Sequence, residues 1–148
     1  MGELRGSDLP AVRAQLGRDP TTPFTVVVRC PDGHPLVIRN HPVDADGKPF
    51  PTLFWLTCVE AGKAVSRLES EGEIGRFNDR AEEDAGFATH LAAAHEAYAA
   101  ERARLVPEAR NWSGVGGTRT GVKCLHAHYA NHLAGGDDPV GSWVAERI

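Results

Sequence analysis

Apolar residues recur along the chain at two spacings, and the change from one to the other separates expected strands from expected helices. Leu9, Val12 and Leu16 share one face at helical spacing, which predicts a helix over residues 8–16. Ser7 would cap it, Pro10 falls in its first turn and Gly17 would stop it. Pro20 and Pro23 then break the chain. Phe24 to Cys30, with Val26, Val27 and Val28 in succession, predicts a strand. Pro31-Asp32-Gly33 is a tight-turn sequence, and Leu36 to Arg39 predicts the returning strand of a hairpin. Residues 42–52 read as loop. Leu53 to Thr57 is short, apolar and aromatic, either a third strand or a buried entry into a helix.

From Val59 onward the pattern is helical. Ala61, Val65 and Leu68 mark one segment that ends at Gly72, and Ile74 to Asp79 predicts a short helix. Asp84 to Leu105 is the longest candidate, with Phe87, Leu91, Ala94, Tyr98 and Leu105 on one face and Pro107 beyond its end. Residues 106–121 form a glycine-rich loop. Val122 to Leu133 predicts a helix closed by Gly135-Gly136, and Pro139 to Arg147 a last one. The expectation is an α+β fold. Its small antiparallel sheet is a hairpin plus, if Leu53 to Thr57 is extended, a third short strand, packed against four to six helices. With 148 residues, 41% of them hydrophobic, a single domain over 1–148 can build its own core.

Charge and cysteine content narrow the function classes. A net charge of −4 disfavours a general nucleic-acid or anionic-membrane surface. No apolar run approaches the roughly 18 residues that span a bilayer. The first residues have no apolar core and no small-residue cleavage site, so the chain reads as cytoplasmic. Gly2 is followed by Gly6 rather than by the Ser or Thr of a myristoylation signal. Three cysteines, an odd number, argue against a disulfide framework and leave free thiols or metal ligands.

Several segments in order resemble the bacterial domain of unknown function 501 family. They are Arg29-Cys30-Pro31, the run Asp46-Gly47-Lys48-Pro49-Phe50-Pro51-Thr52, and Phe54-Trp55-Leu56-Thr57-Cys58. Arg67-Leu68-Glu69, Ala94-His95-Glu96 with Tyr98, Gly116-Gly117, Val122 to Ala127 and Pro139-Val140-Gly141 continue the series. The resemblance implies a small cytoplasmic protein and no established activity. It also implies that Cys58 can be exchanged for His, a replacement that suits a metal ligand. Asn131 departs from the family pattern, which commonly has His there.

Four groups of residues could carry chemistry. The first is Cys30, Cys58 and Cys124 with a histidine, a donor set for zinc, although no two cysteines form a CxxC pair. In a regular helix Cys124 would share a face with His128, Asn131 and His132, which favours His128 as the fourth donor. Resemblance favours His126, provided the first turn at Lys123-Cys124-Leu125 is irregular. His34 lies four residues after Cys30. The expected metal set is therefore Cys30, Cys58, Cys124 and His126, with His128 as the alternative. The second group is His95, Tyr98 and Arg102, at helical spacing on the long helix and suited to acid–base work or anion binding. A packed helix edge would use the same residues. The third is the loop from Gly114 to Lys123, whose Arg119 and Lys123 precede a helix start and suit an anion. It is not a Walker A loop, since Val122 separates Gly121 from Lys123. The fourth is Asp44, Asp46 and Lys48 beside Phe50 to Trp55, most simply a turn followed by core.

Two functions remain open. One is a non-enzymatic module, zinc-stabilised, that binds a protein or a small anionic ligand. The alternative is a hydrolase or transferase acting on a phosphorylated or other anionic substrate, with His95, Tyr98 and Arg102 facing Arg119 and Lys123 across one pocket. A reactive thiol at Cys124, beside Lys123 at a helix start, is a third possibility.

Overall fold

A computed structural model describes residues 8–148; the expected Ser7 cap and Gly2 lie outside them. Helix α1 spans Leu9–Leu16 and ends at Gly17, whose φ of 75° places it in the left-handed region that glycine adopts without a Cβ clash. Strands β1 (Phe24–Arg29), β2 (Pro35–Asn40) and β3 (Phe54–Leu56) form an antiparallel sheet in the order β1-β2-β3. The turn sequence between β1 and β2 does what its residues predict: Gly33 N–H donates to Cys30 O at 2.8 Å. Six helices complete the described α+β fold: α1, α2 (Val59–Ser70), α3 (Glu73–Glu83), α4 (Ala85–Ala103), α5 (Leu125–Leu133) and α6 (Pro139–Ala145). Two 3₁₀ turns, Pro107–Asn111 and Val115–Gly117, order the glycine-rich loop. No helix among the described residues is long and apolar enough to cross a membrane.

The two-residue period of the strands divides the sheet into two faces. Ile38, Phe24 and half-buried Val26 and Trp55 pack with Val12 of α1 on one side. Val37, Phe54 and Leu56 join the larger core built from α2 to α6 on the other. Consecutive residues of β2 thus serve different cores, and β3, at the sheet edge, contributes to both. Within the larger core Phe77 of α3 stacks on Phe87 of α4 with ring centroids 5.8 Å apart, and it meets Trp143 of α6 edge-on at 5.1 Å.

Two helices differ from the sequence pattern. Helix α3 runs to Glu83 although its apolar signal covers only Ile74 to Asp79, because half-buried Ala81, one turn beyond buried Phe77, still packs against the core with Ile74. Helix α5 begins at Leu125, three residues later than its periodicity suggests. Asn78 explains the delay: its Oδ1 accepts from Val122 N at 2.8 Å and its Nδ2 donates to Val122 O at 3.0 Å. Gly121 beside it has a φ of 69°. The chain is therefore held extended through Cys124, at φ −149° and ψ 115°.

Helices α5 and α6 cross so closely that a Cβ at Gly141 would stand 2.2 Å from His128 O and 2.6 Å from His132 Cβ. Backbone cannot yield to that extent without moving a helix. Gly141→Ala is expected to destabilise the protein by about 1–3 kcal/mol or more, the usual cost of overpacking. Chemical denaturation measures it, and a variant within about 0.5 kcal/mol of wild type would contradict this packing.

Candidate functional site

The polar stripe of α4 organises the walls of the site. His95 is buried; its Nδ1 accepts from Val115 N–H at 3.0 Å and its Nε2–H donates to Gly121 O at 2.9 Å. Burial lowers its pKa below the ordinary histidine value of 6.5, which suits the neutral tautomer this pair of bonds requires. Tyr98 Oη accepts from Leu53 N at 2.7 Å and from Phe54 N at 3.3 Å, tying α4 to β3. Arg102, with no exposed surface, donates to the carbonyls of Pro51, Ala109 and Ser113. The polar atoms of all three are therefore committed to backbone, and what they do in this arrangement is position the loops around them.

Two glycines of the loop are required here, Gly114 by contact and Gly116 by its backbone torsion. A Cβ on Gly114 would lie 2.6 Å from His95 Nδ1. Gly116 has a φ of 71° and sits against Cys124, whose Cβ would be 3.5 Å from an added methyl. The segment arrives at the start of α5 with no side chain between it and the cysteine.

At that start three donors converge. Glu69 of α2, Cys124 and His126 place one ligand atom each within 4.8 Å of one another, the one such trio among the described residues. His126 Nδ1 is 3.2 Å from Glu69 Oε2 and 3.9 Å from Cys124 Sγ. Its Nε2 is 3.1 Å from both Gly62 O and Ser66 Oγ. Glu69 Oε2 also accepts from Leu125 N at 2.9 Å, so the same carboxylate holds the first turn of α5. The Cys124 sulfur, opposed by desolvation and helped by Glu69 and the Gly62 carbonyl, raises His126 to about 9. The imidazolium Nδ1–H then lies between a carboxylate and a sulfur.

The extended conformation of Cys124 is what makes this possible. In a regular helix Cys124 and His126 would point apart, and His128 would be the neighbour. Instead His128 is fully buried on the far side of α5, where its Nδ1–H donates to Asp138 Oδ2 at 2.8 Å. Asn131 donates to the same oxygen at 3.0 Å.

The trio adjoins a cavity of about 480 Å³, the size of many small-molecule sites. Cys124 and His126 line it together with β3, the segment before β3 and the Ser113 to Gly117 stretch. Arg18, just past α1, stands at its boundary with its guanidinium carbon 5.6 Å from the Trp55 ring centroid.

Other residues singled out from the sequence lie elsewhere. Cys30 is in the β1–β2 turn, its N–H donating to His34 O at 2.9 Å. Cys58 precedes α2 and its carbonyl accepts from Gly62 N at 2.9 Å. Both are half-buried free thiols, and neither belongs to the trio. Arg119 pairs with Glu96 at 3.1 Å and donates to the carbonyls of Arg110 and Trp112, which fastens the loop. Lys123 is exposed and, like Arg119, does not line the cavity. In the fourth group Asp44 Oδ1 accepts from Asp46 N and Lys48 N at 2.9 Å each, as a turn requires. Glu69 is the site residue that pattern reading did not single out. It is one exposed-side acid of an amphipathic helix, and only its place in the segment Arg67-Leu68-Glu69 set it apart.

No curated protein and no solved structure matches the chain. Residues 26–146 match the model of the family described as "Protein of unknown function (DUF501)". That span covers most of the chain and includes every member of the trio, so this protein belongs to the DUF501 family.

Proposed function

We propose that Glu69, Cys124 and His126 form a zinc-type metal site with three protein donors, and that the chain binds a small ligand at the fourth position, from the adjoining cavity. The convergence of the three donor atoms carries this reading. Around tetrahedral zinc, nitrogen and oxygen donors stand roughly 3.4 Å apart and nitrogen and sulfur roughly 3.6 Å. The separations of 3.2 Å and 3.9 Å here are close to both. The Gly62 carbonyl takes the Nε2–H of His126, which leaves Nδ1 as the coordinating nitrogen, a usual arrangement behind a ligating histidine. Three protein donors with an open position are the pattern of zinc sites that bind or activate a ligand, whereas structural sites are closed by four. This modifies the set expected from sequence: Glu69 takes the place of Cys30 and Cys58.

Metal analysis of protein purified without chelator tests the proposal. About one equivalent of zinc is expected in wild type. Cys124→Ser, His126→Ala and Glu69→Gln should each weaken zinc binding by about tenfold or more, while Cys30→Ser and Cys58→Ser leave it unchanged. Wild type that neither carries zinc nor takes it up at micromolar concentration would refute the site.

The raised His126 supports a second reading, in which Cys124 and His126 form a thiolate–imidazolium pair and the thiolate acts as a nucleophile in a hydrolase or transferase. Iodoacetamide should then modify Cys124 in metal-free protein well before Cys30 and Cys58. Equal rates at the three thiols would discard it.

A further inference from the structure

The cavity has a one-sided charge. None of the side chains lining it is a carboxylate, and Arg18 is the one arginine or lysine among them. Glu69 reaches the cluster from α2 behind them and is not part of the lining; it is occupied by His126 and Leu125 N–H. The carbonyls of Pro51 and Ser113, two lining residues, accept from the buried Arg102 guanidinium, so their negative ends are taken up and a further positive charge lies beneath them. Arg18 forms no ion pair with any described residue, and it is exposed at the cavity boundary next to Trp55.

The shape is as particular as the charge. Half-buried Phe50 and Trp55 supply aromatic surface, with the buried rings of Phe54 and Tyr98 behind them. Gly114, Gly116 and Gly117 supply bare backbone; at Gly114 the close approach of His95 leaves no room for a Cβ, and Gly116 is held at a φ of 71° that other residues rarely adopt. Tyr98 contributes its ring alone, since its hydroxyl is held by Leu53 N and Phe54 N. Aromatic rings beside unsubstituted backbone favour a flat apolar group over a branched or strongly hydrated one.

We infer that the cavity takes a small organic anion with a flat, apolar body, its acidic group paired with Arg18 and its body lying against Phe50 and Trp55, whose ring centroids are 6.0 Å apart. The inference rests on the proposed metal site only for what binds at the Cys124 end; the charge and shape arguments stand on Arg18 and the aromatic side chains.

Calorimetric titration of zinc-treated protein tests it, with zinc content measured on the same samples. The probes are 2-naphthoate, the neutral amide of the same shape, and acetate, which has the charge without the body. Naphthoate should bind at least about tenfold more tightly than either. Arg18→Gln, at an exposed position outside both cores, should bring naphthoate down to the level of the amide and leave the amide unchanged. Trp55→Ala should weaken both aromatic probes. Equal affinity for naphthoate and amide in wild type, or an unchanged naphthoate affinity in Arg18→Gln, overturns the inference. A wild type that holds zinc but shows no Arg18-dependent preference removes the ligand class and leaves the metal site standing. One that shows the preference without holding zinc removes the metal site alone.

Discussion

Asp138→Ala is expected to cost about 3–5 kcal/mol of stability, because it leaves several buried donors unpaired at about 1–3 kcal/mol each. A domain of this kind has only about 5–15 kcal/mol in total, so the variant would be marginal at 37 °C. The carboxylate is 1% exposed and every donor around it depends on it. His128 Nδ1 lies 2.8 Å from Oδ2 and Asn131 Nδ2 3.0 Å from it, while Val140 N and Gly141 N donate to Oδ1 at 3.0 and 2.9 Å. The residue is at once the cap of α6 and the acceptor for His128 and Asn131 of α5, so alanine would strand buried donors on both helices. Urea denaturation measures the loss; less than about 1 kcal/mol would mean that His128 and Asn131 find other partners.

The same carboxylate predicts a pH dependence. Burial alone would raise its pKa, but the bonds from His128, Asn131 and Gly141 outweigh burial and hold it below the ordinary 3.8. A group that ionises more readily folded than unfolded stabilises the fold above its unfolded pKa. That stabilisation is lost as the pH falls through the lower, folded value. The difference in melting temperature between wild type and Asp138→Ala should therefore be constant near neutral pH and shrink below about pH 3.8. A difference that grew toward acid would reverse the assignment.

Arg102→Leu is the second substitution with a large expected effect, again about 3–5 kcal/mol. The guanidinium is fully buried, and among the described residues no carboxylate pairs with it. Burial lowers its pKa, and its charge is held by carbonyl dipoles and by the faces of Tyr98 and Trp112, at 5.6 and 5.7 Å. Nη1 donates to Pro51 O at 2.9 Å, while Nε and Nη2 donate to Ala109 O at 3.2 and 3.0 Å. Leucine would leave three carbonyls without this donor at roughly 1–3 kcal/mol for each one that stays buried and unpaired. Lysine would recover less than half, because one ammonium cannot reproduce the planar fork. Pro51 and Ser113 line the cavity, so the same variant should also bind naphthoate more weakly. Denaturation of both variants, with tryptophan near-ultraviolet dichroism to follow Trp112, checks this. Arg102→Leu at wild-type stability would show that the loops hold together without it.

The stripe of His95, Tyr98 and Arg102 shows how far helical spacing reaches. Periodicity places the three side chains along one edge of α4, and that is where they are. It says nothing about what they meet. The loops that supply Leu53, Val115, Gly121, Ala109 and Ser113 come from other parts of the chain, and their backbone groups absorb the polar atoms of the stripe.

What the sequence determined by itself is local. The valines of β1, the Pro31-Asp32-Gly33 turn and the glycine after α1 act through the torsions and hydrogen bonds of neighbouring residues, and the hairpin and the helix end form where these residues stand. Tertiary structure decided the site. Asn78, forty-four residues earlier in the chain, clamps Val122 and keeps Cys124 extended. Glu69 arrives from α2 to meet Leu125 and His126. Neither contact has a period or a spacing that could be read in advance, because each joins distant segments through the packing of the core, and only that packing turns Cys124 toward His126 and away from His128.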